Sequence, residues 1–234
     1  MLSASHIMIG GFLYEYMSSR YQISLHRESF IFGNILPDFR PSFLTRPHFL
    51  QYNTAYLKRE IAALLADKHE ETSFGCLYSM RMGVICHYLT DFFCAAHSDH
   101  FTCAPCASID STERTPGDGA KHGPCKTLER KLEERFQISL PRHMRYERQL
   151  HCYLVKNQHM IEDILYIPKP FSGSGEAAVF AHFSELHEKY LASRQSFGND
   201  LVYALLGCVE SISAITDGSL AVKVPEPLPA ACPA

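Results

Sequence analysis

Tryptophan is absent from this 234-residue chain, and so is any surplus of basic charge: 22 Lys and Arg face 25 Asp and Glu, for a formal net charge of −3. A chain without net positive charge carries no electrostatic grip of its own on polyanions, so no stable nucleic-acid partner is expected. Long apolar runs are missing as well. No stretch approaches the ~18–20 apolar residues needed to span a bilayer. The opening MLSASHIMIGGFLYEYM has neither a basic leader nor a small-residue cleavage signal after its short apolar run. With an odd number of cysteines, nine, and no secretion signal, the expectation is a cytoplasmic, mostly reduced protein. The sequence shows no internal repeat and no long low-complexity segment.

What is present suits one large core. At 46% hydrophobic and 20% charged residues, nothing requires a second domain. Apolar residues recur with helical period and strand-like alternation is scarce, which predicts an all-α fold, a single multi-helix domain over residues 1–216. The expected helices cover 5–20, 27–34, 51–67, 73–97, 125–136, 141–165, 176–193 and 197–215. Between Phe101 and Pro124 the sequence carries Cys103, Pro105, Cys106, Pro116, Gly117, Gly119 and Gly123, which disfavour regular structure and predict a long Cys-containing loop over 101–124. The segment 217–234, with four prolines in its last ten residues, is expected to be an extended or disordered tail.

Histidine, 13 in all, is the polar residue in excess, and it is the commonest metal ligand. His87 and Asp91 lie in the apolar segment GCLYSMRMGVICHYLTDFFCAAH. Their i, i+4 spacing puts both on one helix face with Cβ atoms ~5–6 Å apart. A buried ionised Asp is costly unless it is paired or holds a cation, so the pair is either a metal grip or a buried hydrogen bond. His143 and Glu147 repeat the spacing on a helix that starts near Pro141, and His151 extends the row. Arg142, Arg145, Arg148 and Gln149 surround them, as on an ordinary solvated face. His97 follows Asp91 by six residues, ~120° off its face on a straight helix, so it serves a different ion or follows a break. Gly33-Asn-Ile-Leu-Pro-Asp38 reads as a helix end and turn, with His48 ten residues on and His6 near the start of the first helix.

Together, His6, Asp38, His48, His87, Asp91, His97, His143 and Glu147 resemble, in order and spacing, the ligand pattern of the zinc-dependent phospholipase C family. The resemblance implies one zinc held by Asp38, His48, His87 and Asp91 and a second held by His97, His143 and Glu147. It also implies that Asp38 orients or deprotonates the attacking water. A third zinc in that family uses the N-terminal His and the amino group of an N-terminal Trp. This chain has no Trp, so two zinc ions with His6 as ligand of an optional third is the expectation. The implied reaction is hydrolysis of a phosphodiester, most simply a glycerophospholipid cleaved to diacylglycerol and a phosphorylated head group. Related single-strand nucleases carry Asp in the last pair, and Glu147 favours the phospholipase side.

Membrane action needs an access surface. Phe39, Phe43, Leu44 and Phe49 beside Asp38 and His48 are either that surface, for transient membrane contact, or ordinary core. Cys103, Cys106, His122 and Cys125 have the form C-x2-C…H-x2-C and suit a closed structural zinc site. Cys76, Cys86, Cys94 and Cys208 read as packing residues on apolar helix faces. A non-catalytic metal-binding helical domain is the rival reading, opposed by the number of separated ligands. A His-Asp phosphohydrolase is excluded because the sequence has no adjacent His-Asp pair.

Overall fold

The structure is a computed structural model that describes residues 1–40, 48–67, 69, 73–98, 140–159, 161 and 175–219. Its helices are α1 (Ser3–Tyr21), α2 (Arg27–Gly33), α3 (Leu50–Ala66), α4 (Cys76–Phe92), α5 (Leu140–Lys156), α6 (Glu176–Ala192) and α7 (Phe197–Ser219), with 3-10 turns at Leu36–Phe39 and Ala95–His97. Among the described residues there is no β-strand; an isolated bridge joins Ser24 and Ser73. The fold is all-α, as the periodicity predicts. The expected helix over 125–136, the loop over 101–124, the four proposed ligands Cys103, Cys106, His122 and Cys125, and Phe43 and Leu44 all lie outside the described residues.

Helix α4 is the centre of the fold. From Met82 to Phe92 every residue is buried, and α1, α2, α3 and α7 all pack on it. A helix apolar all round can be stable only in such a place. Where α2 crosses α4, the two backbones touch. A Cβ on Gly33 would stand 2.1 Å from the Met80 carbonyl oxygen, and one on Gly83 would stand 2.2 Å from that of Phe30. Only glycine allows that approach. Gly83, His87 and Asp91 fall at successive i+4 steps, so the close crossing lies on the face that carries the first predicted pair.

Helix α1 buries Ser5, His6, Ile9, Gly10, Leu13 and Met17 along one face, which carries His6 inward with the apolar stripe. Three boundaries differ from expectation, the first being α5, which ends at Lys156 although the spacing predicts helix to residue 165. The helix expected to run through residue 97 stops at Phe92, and Phe93 and Cys94 form a turn before the short 3-10 segment. Helix α7 continues to Ser219, beyond the expected start of the tail at 217; residues 220–234 lie outside the described set.

Candidate metal centre

All eight predicted residues come together. Asp38, His48 and His87 form one group whose ligand atoms lie within 4.8 Å of one another; His6, His87 and Asp91 form a second, and His97, His143 and Glu147 a third. His87 belongs to two groups, and Asp91 links the site. Its Oδ2 is 2.8 Å from His48 Nδ1 and 3.3 Å from His87 Nε2, while its Oδ1 is 3.3 Å from His6 Nε2 and 3.6 Å from His97 Nε2. Asp91 is thus a member of the His6 and His87 group and also contacts His48 and His97, one from each of the other groups.

The break after Phe92 explains the third group. The turn at Cys94 redirects the chain, so His97 leaves the α4 axis and meets α5. His97 Nε2 and His143 Nε2 lie 3.0 and 2.9 Å from Glu147 Oε1. The face of α5 that spacing alone left as solvated is buried at Glu147, Leu150 and Leu154, and its arginines occupy other positions of the turn. His151, the further step in that row, joins no group; its Nδ1 lies 3.0 Å from Ser5 Oγ.

Several ligands are held from behind. His87 Nδ1 is 2.8 Å from the Asn34 carbonyl and His143 Nδ1 is 3.0 Å from the Ala96 carbonyl. These contacts set which ring nitrogen faces the centre. Thr90 Oγ1 is 3.0 Å from His6 Nδ1, and Ser3 Oγ donates to Asp38 Oδ2 at 2.7 Å. Ser3, Asn34 and Thr90 were not singled out from sequence. Thr90 was findable as a hydroxyl in an otherwise apolar stretch of α4, whereas Asn34 acts through its backbone and left no side-chain signal.

The electrostatics favour neutral histidines and ionised carboxylates. Burial pushes His87 well below its usual range, with His6 adding to the effect, and burial likewise takes His97 down to about 4. Burial alone would raise Asp91, yet His97 and the α-amino group of Met1 outweigh it and hold Asp91 well below the usual carboxylate range. Glu147 is lowered in the same way, burial being overcome by the Met1 ammonium and the His143 and His97 hydrogen bonds. Asp38 is the exception, raised by burial and by the nearby Asp91. The Met1 ammonium pairs with Asp91 and lies 3.0 Å from both Glu147 Oε1 and His97 Nε2.

The residues fit zinc. Donors at ~2.0–2.1 Å around a tetrahedral ion stand roughly 3.3 Å apart, the scale of the separations here. Imidazole and carboxylate are donors that zinc takes, and metal binding requires deprotonated ligands. His6 Nε2 is buried and, 3.3 Å from Asp91 Oδ1, makes no hydrogen bond among the described residues, a polar atom that a metal ion would satisfy.

An all-helical domain that gathers five histidines and three carboxylates into linked groups defines a class of metal-dependent protein. A model of the family described as zinc dependent phospholipase C matches residues 5–197, and the chain belongs to that family. No curated protein and no solved structure matches the chain. Family and donor set together support zinc as the metal.

The aromatics left open between surface and core divide: Phe39 is 69% exposed, whereas Phe49 is buried, because the 3-10 turn at Leu36–Phe39 turns Pro37 inward and leaves Phe39 outside. One expectation needs correction. Cys76, at the first position of α4, is exposed, while Cys86, Cys94 and Cys208 are buried as expected. No helix among the described residues is long and apolar enough to cross a membrane.

Proposed function

We propose that this protein is a zinc-dependent phosphodiesterase that cleaves a glycerophospholipid into diacylglycerol and a phosphorylated head group. The observation that carries this reading is the convergence of all eight residues into three groups, two of which share His87. One zinc is assigned to Asp38, His48 and His87, with Asp91 beside them, and a second to His97, His143 and Glu147. His6, through Asp91 and His87, offers a third position. Closely spaced zinc ions supply Lewis acidity towards the phosphoryl oxygens.

The chain's own residues do the rest. Asp38 is the most exposed of the three carboxylates, at 21% against 0% for Asp91 and 6% for Glu147. It is therefore the one placed to accept a proton from the attacking water, with Ser3 fixing its other oxygen. Asp91 and Glu147 stay ionised and orient His48, His87, His97 and His143.

Two observations favour a lipid. A cavity of about 350 Å³ is lined on one side by Phe49, Leu50, Phe92 and Leu191 and elsewhere by Gln51, Thr54, Ser98 and His187, with His97 in its wall, so an apolar group on its Phe49 side and a polar one beside it would both sit close to a candidate metal ligand. Phe39, exposed next to Asp38, supports transient contact with a membrane surface.

The test pairs metal content by mass spectrometry with hydrolysis of phosphatidylcholine vesicles, a chromogenic phosphodiester and single-stranded DNA. Two or more zinc ions per chain and release of the phosphorylated head group are expected. Zinc retained with no hydrolysis of any substrate would leave a non-catalytic metal-binding domain, and hydrolysis of DNA alone would assign a nuclease.

A further inference from the structure

Asp200 stands in the first turn of α7, among Leu201, Ala204 and Leu205, and is fully buried. Its side-chain hydrogen bonds among the described residues go to Ala95, Tyr146 and Tyr190, none of them a candidate ligand. Its Oδ2 accepts the Ala95 backbone N–H at 3.1 Å and the Tyr146 hydroxyl at 2.7 Å. Its Oδ1 accepts the Tyr190 hydroxyl at 2.9 Å.

These partners are arranged around one metal group. Ala95 opens the 3-10 turn that ends in His97. The carbonyl of the next residue, Ala96, faces His143 Nδ1 at 3.0 Å. Tyr146 precedes Glu147 on α5. One carboxylate thus ties the turn carrying His97 to the helix carrying His143 and Glu147, and the Tyr190 contact anchors it to α6. The chain runs from Asp200 through Ala95 and Ala96 to His143, along α5 to Tyr146, and back to Asp200. Packing alone would be served as well or better by an apolar residue, since a buried carboxylate costs stability unless its acceptors are used.

We infer that Asp200 is a positioning residue that holds the His97 turn and α5 in register, so that His97, His143 and Glu147 present a preformed metal group. This inference rests on the assignment of that group to zinc.

The test compares Asp200→Ala, Asp200→Asn and Tyr146→Phe with Val209→Ala, a buried change elsewhere on the same helix. Zinc affinity is read by chelator competition, and ligand geometry by the visible spectrum of the cobalt-substituted protein. Outer partners of metal ligands typically contribute about 10–100-fold in metal affinity. The expectation for Asp200→Ala is a loss of that size for one zinc of the bound set, the rest unchanged, together with an altered cobalt spectrum. Asp200→Asn, which keeps an acceptor oxygen for Ala95 and Tyr146, should recover most of it. Tyr146→Phe should show a smaller loss at the same zinc, and it decides the matter if the alanine variant does not fold. Val209→Ala should lose stability without losing zinc.

Wild-type zinc affinity and spectrum in a folded Asp200→Ala variant, or in Tyr146→Phe where only that variant folds, would overturn the inference while leaving the zinc reading intact. So would an equal loss in Val209→Ala. A wild-type chain that binds no zinc would overturn both.

Discussion

Both oxygens of Asp91 are in use, and His87 belongs to two ligand groups, so single substitutions should not be equivalent. His87→Ala is expected to lower bound zinc by more than one equivalent, whereas His143→Ala should lower it by about one, each abolishing hydrolysis. Equal losses, counted by mass spectrometry, would show that His87 is not shared. His69, which packs on Phe74 and Tyr78 away from the centre, serves as the control: His69→Ala should keep both zinc and activity. Asp200 yields a prediction with a sign. Burial raises it from 3.8 to about 6, against the opposing hydrogen bonds from Ala95, Tyr146 and Tyr190. The folded state therefore binds this proton more tightly than the unfolded chain, and its contribution to stability grows as pH falls through about 6 towards 4. That rise corresponds to at most about 3 kcal/mol. In metal-free protein, urea midpoints at about pH 7.5 and about pH 5 should show the wild type gaining on Asp200→Asn at the lower pH. A wild type that loses ground instead would mean the anion is the stabilised form.

Among elements, the α2–α4 crossing is the most constrained. Gly83→Ala puts a methyl group against backbone, not against a side chain that can swing away, so the helices must separate. The cost should reach or exceed the ~1–3 kcal/mol typical of overpacking, seen as a lower thermal midpoint. Because the Asn34 carbonyl behind His87 and the turn bearing Asp38 both follow α2 directly, the same change should weaken zinc binding at the Asp38, His48 and His87 group more than at His97, His143 and Glu147. Loss of stability with both groups unaffected would separate the crossing from the site. Helix periodicity made every described helix legible from the chain, and the two His-x-x-x-carboxylate pairs with them. The early stop of α4 was not legible, because Phe93, Cys94 and Ala95 continue its apolar pattern and nothing in the local sequence forbids another turn of helix.

For the whole molecule, the centre ties α1, α4, α5 and the segment from Asp38 to His48 to one set of ligands. Ions that bind only the folded state stabilise it by mass action, about 4 kcal/mol for a site at a thousand times its dissociation constant. In a chain of this size that corresponds to roughly 10 °C. Chelator should therefore lower the thermal midpoint by at least that much and added zinc should restore it, as followed by circular dichroism. An unchanged midpoint would mean that the fold stands independently of the metal.

The sequence by itself determined the helical class, the positions of the helices and the two His-x-x-x-carboxylate pairs, and the set of eight candidate residues followed from the family resemblance. Periodicity and i, i+4 spacing are properties of one helix and need no partner. Only the tertiary structure decided how those residues divide into groups, that His87 belongs to two of them while Asp91 contacts all three, and that His97 meets α5. Each of these depends on where helices cross, and the crossings are decided by features with no local signature: the backbone contact at Gly33 and Gly83, the turn after Phe92, and the buried carboxylate of Asp200. Asp200 did leave one trace, an acid on an apolar face, but its three partners lie on segments far apart in the chain. Asp38, His48, His87 and Asp91 resembled one four-residue zinc set in sequence. In the folded protein the two oxygens of Asp91 face different neighbours and join that set to the rest of the centre.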